Sequence, residues 1–547
     1  VTEEKRRKKR RKIPTKAELL QLQKLYKTDE KIGERLGNVP AYLVAYWRRK
    51  KGIPKYSLPK FSEQEIRNLW ERFGDDEKAG LELGISKAAF YNWRRRYGLR
   101  EKPAFLKLEQ LELNFPGARM SPHTASLYGK RTMAMKMLAR ASGKDKVAVD
   151  DRIEVEPDIV ILHGCTASVI DGFKRLGSEF VWNPNKIVIT LGYDGVDGDR
   201  DAAAAHQMAR EFARRQSIKN FYDLNEGICQ QVVIERGHVL PGQVIIGIGN
   251  QAPAYGCLGA YATGIDTEAM ACLWSEGRLT MEVPKTVHIV IGGKRYRGIY
   301  SKDIALSVIE KVGQEVAAEC VIEFSGSVVS QMSISERLTL AGHSVQMGAH
   351  SAICPYDATT RRYLTGRASA RSTPVIPDKD AEYDSVYQVN IDQLVPQVAR
   401  QGDPGQIRPA AEIEGVTVNQ VIIGSCTSGR FDELRVAAEI LKGKQIHSDC
   451  RTLVVPGSRT VYLEALKKGL IRVFLEAGAM VMSPTTCPCH STLVGRLAAG
   501  EKCLTTSSAH LARILGPDDA EVFLCSPATA AASALNGAVT DPTRYVK

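Results

Sequence analysis

Two groups of residues in this 547-residue chain have types and spacing that could do chemistry. The first is Gly424-Ser425-Cys426-Thr427-Ser428-Gly429-Arg430, which follows an apolar strand-like run and precedes a helical one. A turn of that composition offers backbone N–H groups and a thiolate to a ligand. The second is a pair of cationic runs, Arg48-Arg49-Lys50 and Arg94-Arg95-Arg96, each directly after a Trp. Such clusters favour polyanions, nucleic acid foremost, the alternative being a merely solvated face.

The cationic runs belong to a repeat. Asp29-Glu30-Lys31 recurs as Asp76-Glu77-Lys78, Leu36-Gly37 as Leu83-Gly84, and Tyr46-Trp47-Arg48-Arg49 is echoed by Trp93-Arg94-Arg95-Arg96. Each unit reads as an amphipathic helix, a short second helix, a glycine turn and a third helix that buries an aromatic and exposes its arginines. The first helices carry Leu19, Leu20, Leu22 and Leu25 in one unit, and Ile66, Leu69, Trp70 and Phe73 in the other. Ser86 stands where the last helix needs its N-cap. The arrangement resembles the helix-turn-helix family, which implies DNA as a partner. Composition agrees, for the first 103 residues hold 28 of the 75 Lys+Arg and 14 of the 62 Asp+Glu, a net of +14. The 47 basic and 48 acidic residues beyond nearly cancel.

Length alone predicts about three to five domains. The expected division is a basic tail over 1–14, repeats over 15–57 and 58–102, a Pro-containing linker over 103–127, and a body over 128–547. In the body, β-branched runs at Ile159–Leu162, Lys186–Leu191, Gln243–Ile246, Gln420–Ile423 and Arg451–Val455 alternate with helical patterns such as Ala202–Arg215 and Phe431–Leu441. That alternation predicts an α/β body built on parallel sheets. Twelve scattered cysteines do not form a disulfide framework. No run of about 20 apolar residues predicts a membrane span, and the N-terminus lacks an apolar signal core, so a cytoplasmic protein is expected.

Further motifs extend over three quarters of the chain: Gly227-Ile228-Cys229, Ala262-Thr263-Gly264-Ile265, Tyr300-Ser301-Lys302-Asp303, Pro355-Tyr356-Asp357-Ala358-Thr359-Thr360 and Ser526-Pro527-Ala528. With the Cys426 turn, they resemble the large subunit of the aconitase superfamily, in its homoaconitase and 3-isopropylmalate dehydratase branch. The resemblance implies a three-domain α/β large-subunit body around a 4Fe–4S cluster held by three cysteines. Its fourth iron acts on hydroxy-di- or tricarboxylates. It also implies a separate small swivel-domain subunit, for which this chain has no stretch left over.

The resemblance makes Cys426 the first cluster ligand and places the others in Thr486-Cys487-Pro488-Cys489-His490. There a Cys-x-Cys of Cys487 and Cys489 replaces the family's Cys-x-x-Cys, with His490 as a weaker donor. The family's Asp-Ser-His-Thr becomes Gly249-Asn250-Gln251-Ala252, its Asp-His becomes Gly192-Tyr193, and a further His becomes Gln230. An Asn and a Glu become Gly342 and Gln346, and a substrate-gripping Arg becomes Ala509, with His510 and Arg513 close by. Acid–base groups and carboxylate-binding charges are thus replaced by neutral side chains. His163 retains a family histidine position.

Two readings follow. One is a cluster-dependent lyase of the hydro-lyase type acting on an altered small-molecule ligand. Its cluster would sit on Cys426, Cys487 and Cys489, and His163, Tyr193 and Gln251 would line the pocket as catalytic candidates. The other is a catalytically inactive aconitase-like body that senses iron, redox state or a metabolite and controls the DNA-binding module. For the cysteines the alternative is that the cluster is lost and they are ordinary thiols.

Overall fold

The computed structural model describes residues 13–26, 28–53, 61–73, 75–83, 85–97, 99, 130–192, 200–313, 317–368, 370, 372–400, 406–425, 427–484, 495–507 and 515–546. The chain divides into two compact units, residues 1–121 and 122–547.

The first unit contains the repeat as two three-helix bundles. Helices α1 (Lys16–Tyr26), α2 (Asp29–Arg35) and α3 (Ala41–Lys50) enclose Leu19, Ile32, Val44 and Trp47. Helices α4 (Glu63–Phe73), α5 (Asp76–Glu82) and α6 (Lys87–Arg96) enclose Ile66, Trp70, Ala79 and Phe90. Thr28 and Ser86 cap α2 and α6, their hydroxyls accepting from Lys31 N and Ala89 N. The apolar stripe of α1 is narrower than its leucines suggest: Leu19 is buried, whereas Leu20 and Leu25 face solvent.

Both bundles are closed by the same clamp, and this corrects the expectation for two of the six cationic candidates. Arg48 donates to both carboxylate oxygens of Asp29, at 3.0 Å each, and to Ile53 O at 3.0 Å. Arg94 does the same with Asp76, at 2.7 and 2.9 Å, and with Leu99 O at 2.5 Å. Both arginines are buried, at 6% and 7% exposure, because a planar guanidinium can satisfy a carboxylate and a carbonyl at once. They hold the bundles together from inside. Arg49, Lys50, Arg95 and Arg96 remain exposed.

The second unit is α/β and contains three sheets built largely of parallel strands. A five-stranded parallel sheet has the order β4 (Asn220–Tyr222), β3 (Ile187–Thr190), β2 (Ile159–His163), β5 (Val244–Ile248), β6 (Tyr261–Ile265). Four parallel strands follow in the order β10 (Ser351–Ile353), β9 (Val321–Ser325), β8 (Thr286–Gly292), β11 (Ser385–Asn390). The third sheet runs β13 (Ile407–Pro409), β12 (Gln397–Arg400), β18 (Glu521–Cys525), β17 (Lys502–Thr505), β14 (Gln420–Gly424), β15 (Arg451–Val455), β16 (Met480–Val481). Its last five are mutually parallel, and β12 and β13 are an antiparallel edge. A small antiparallel pair, β1 (Arg152–Val155) with β7 (Leu279–Glu282), completes the strands.

The central strands are buried on both faces, which is why they read as unbroken Val/Ile runs. Phe173, Phe212 and Trp274 cover one face of the first sheet, and the helices Phe431–Leu441 and Pro527–Asn536 cover one face of the third. Among the described residues no helix is long and apolar enough to cross a membrane.

Candidate active site

In parallel α/β sheets, ligands are met at the carboxyl ends of the strands. Here the carboxyl edges of the first and third sheets meet. The segment after β4 pairs with the segment after β15: Gly227 bridges Ser458, and Ile228 N donates to Gly457 O at 2.9 Å. Gly192, two residues past β3, lies against the same crossing. A Cβ there would come within 2.2 Å of Gly227 O, so only glycine lets these backbones approach.

The turn after β14 is pinned on several sides. Ser425 N donates to Val455 O at 3.2 Å, Gly424 N to Thr506 Oγ1 at 2.8 Å, and Gly457 N to Gly429 O at 2.8 Å. Ser425 holds a φ of 78°, a conformation non-glycine residues seldom adopt. Arg430, beyond the turn, donates to Ser335 Oγ and Thr427 O at 2.9 Å each, to Glu433 Oε1 at 2.8 Å, and to Thr339 Oγ1. It is a strut between the turn and the helix Ile334–His343. Asp303 and Asp357 are similarly structural. The first accepts from Tyr300 N and Gln397 N, and the second caps Thr359 N and Thr360 N and pairs with Arg337.

Thr427 is different. Its hydroxyl is buried and finds no hydrogen-bond partner among the described residues, as is true of Gln231 Oε1. Both side chains line one small chamber with Ile228, Gln230, Ala254, Leu338, Ser428 and Arg430. Buried polar atoms of this kind lack only a partner from a water or a ligand. Gly342 faces the same place, since a Cβ there would sit 3.7 Å from Ala254 Cβ and Thr427 Cγ2.

Gln231, Leu338 and Arg430 also line an open cleft of about 380 Å³ with Glu235, Tyr363, Arg367 and Asp432. Burial raises the Glu235 carboxyl above its usual range, and Ser458 Oγ meets both its oxygens at 2.9 Å.

Beneath these loops lies a buried Lys302–His343 pair, its Nζ and Nε2 2.7 Å apart, with Nζ also donating to Ser507 O at 3.1 Å. His343 Nδ1 is 2.9 Å from Thr339 O, which can only accept. Nδ1 therefore carries the proton, and Nε2 accepts from Lys302. Burial, then the Lys302 charge, pushes His343 well below its ordinary pKa; burial takes Lys302 down to about 7.

Of the residues singled out from sequence, His163 ends β2 and is buried, and Gln251 lies in the turn after the adjacent strand β5, its Oε1 without a partner among the described residues. β2 and β5 are parallel neighbours, so both residues lie at the carboxyl edge of the same sheet. Tyr193, Cys426, Cys487, Cys489, His490, Ala509, His510 and Arg513 lie outside the described residues. Their described flanks do not: Ser425 and Thr427 follow β14, and Ser483-Pro484 follows β16. These parallel strands, separated only by β15, end at the same edge. Gln231 and His343 were not legible as site residues, because no motif in the sequence marks them. The singled-out neighbours Gln230 and Gly342 are the available signals for Gln231 and His343.

Residues 152–412 and 404–537 match the aconitase family (aconitate hydratase). The chain belongs to the aconitase family. Its aconitase-family relatives include the 3-isopropylmalate dehydratase large subunit 1 of Methanopyrus kandleri, 41% identical over 76% of this chain and 100% of that protein. A probable 3-isopropylmalate dehydratase large subunit of Methanothermobacter thermautotrophicus is 39% identical over 75% of this chain and 98% of its own. A probable methanogen homoaconitase large subunit of Methanosarcina mazei is 37% identical, covering 71% and 98%.

Proposed function

We propose that this chain is the large subunit of an aconitase-family hydro-lyase that acts on a small hydroxy acid poorer in carboxylates than the family's usual substrates. Its partner is a separate small subunit carrying the swivel domain, a reading supported by relatives that are themselves named large subunits. The observation that carries the substrate reading is the neutral wall formed by Gln231 Oε1 and the Thr427 hydroxyl, in a chamber of about 10 Å³ that admits one water-sized group such as a substrate hydroxyl. Neutral donors and acceptors suit a hydroxyl or amide, whereas a second carboxylate would call for a free Arg fork. Arg430 is already committed to Glu433, Ser335 and Thr339.

Three cysteines are the ligand type and number that the family's iron–sulfur cluster takes, and the described flanks of their segments, Ser425, Thr427 and Ser483-Pro484, follow parallel strands at one sheet edge. Cys426, Cys487 and Cys489 would hold it, and when bound it would supply a Lewis-acidic iron for the substrate hydroxyl. Thr427 and Gln231 orient the substrate, and His163 and Gln251 line the edge of the first sheet. The test is iron and sulfide content with EPR on anaerobically purified protein and on Cys426→Ala. About four irons per chain, lost in the variant, support the reading; an iron-free, folded protein sinks it.

A second reading, a catalytically silent body governing a nucleic-acid-binding module, is favoured by one observation: the cations of α3 and α6 that are not used in the clamps face solvent.

A further inference from the structure

The clamps fix how the two N-terminal bundles correspond. Placing Arg48 on Arg94 sets each residue of α3 on the residue 46 positions later in α6. Asp29 and Asp76 then hold matching places as the clamped carboxylates. The outward positions fall into two classes. Arg49 with Arg95, and Lys50 with Arg96, are cations in both units and are exposed in both. Tyr46 instead corresponds to Asn92, and Ala45 to Tyr91. Tyr46 is 55% exposed and Tyr91 40%, too exposed to serve the cores. Lys50 lies over the Tyr46 ring at 6.0 Å and Arg95 over the Tyr91 ring at 5.7 Å, so cation and aromatic share one face in each unit.

We propose that these faces bind duplex DNA, and that the two units read different base steps, so that the preferred site is not a palindrome. A ten-residue helix is about 15 Å long and fits a major groove about 12 Å wide. The cations common to both units grip phosphates, which carry no sequence. The positions that differ do the reading: Asn92 matches the N6/N7 edge of adenine, and Tyr46 in its place cannot make that bidentate contact. The net of +14 confined to the first 103 residues supplies the attraction. This deepens the module half of the second reading above, and it holds whether the body carries a cluster or not.

The experiment selects duplexes from a randomised pool with the full-length chain at about 100 mM salt, then titrates the enriched duplex by fluorescence anisotropy. The expected result is an asymmetric consensus. The double variant R49A/R95A should weaken binding to every duplex by at least about tenfold and flatten the salt slope by about one per cation removed. R49K/R95K should restore both. Asn92→Ala should cost about 5- to 100-fold on the consensus and leave random duplex unaffected. No enrichment, a palindromic consensus, stronger binding to single-stranded RNA, or an R49A/R95A protein that binds as before would overturn the proposal. Iron content and lyase activity are separate readouts, so failure here is distinguishable from failure of the enzyme reading.

Discussion

Lys302 donates to His343 across 2.7 Å in the interior of the body, with the histidine's other nitrogen tied to Thr339 O. Neither residue reaches solvent, yet Lys302 is held near pKa 7 by burial. Its ordinary value is 10.5, so the unfolded chain binds a proton that the folded chain lacks between those limits. The stability tied to Lys302 is fully present above about 10.5 and is lost as pH falls through about 7. Thermal melts from pH 7 to pH 9 should therefore rise more steeply for the natural protein than for Lys302→Met. Parallel curves would refute the assignment.

Glu323 behaves in the opposite sense. It is fully buried, accepts from Ala134 N at 2.9 Å and from the Tyr383 hydroxyl at 3.1 Å, and burial raises it to about 7 from 4.5. Its contribution is fully present below about 4.5 and is lost as pH rises through about 7. Glu323→Gln should flatten the melting profile between pH 4.5 and 7, measured by differential scanning fluorimetry.

The Thr427 hydroxyl has no structural partner among the described residues, so Thr427→Val should leave thermal stability within about 1 kcal/mol of the natural protein or slightly above it. If the chain is the proposed large subunit, lyase activity measured with its small subunit should fall about tenfold or more, because the orphaned group is then missing for substrate. A large loss of stability with unchanged activity would reverse its role.

Gly192 admits no side chain, since its Cβ would lie 2.2 Å from Gly227 O. Gly192→Ala should cost about 3 kcal/mol or more and lower soluble yield, seen in urea unfolding of the body.

Arg48→Ala and Arg94→Ala should each destabilise one bundle by roughly 3–5 kcal/mol, as removal of one partner from a buried pair does. Lysine cannot reproduce the fork and should not rescue either variant. Arg49→Ala should change stability by less than about 0.5 kcal/mol. Hydrogen exchange in residues 16–50 for Arg48 and Arg49, and in residues 63–96 for Arg94, separates these outcomes.

Most of the body's framework was legible because strands buried on both faces must be Val/Ile runs. Ile159–Leu162 and Arg451–Val455 were placed to within a residue. The clamps were not legible, because three successive basic residues look alike in sequence while a helix turns each by about 100°. The signal was present all the same: the repeated Asp29 and Asp76 had no stated purpose, and each is the partner of the inward arginine. His343 was invisible for a different reason. Its partner is 41 residues away and meets it only once β-strands and helices have packed.

A bundle fastened from within leaves its outer skin free to drift. The clamp of Arg48 on Asp29 recurs in Arg94 on Asp76, while the pairs Tyr46/Asn92 and Ala45/Tyr91 on the preceding turn differ. After a duplication, then, either copy could change what it touches without losing its shape. For the same reason the outer residues of α3 should be transplantable onto α6, and the chain's preference for its target rewritten one face at a time.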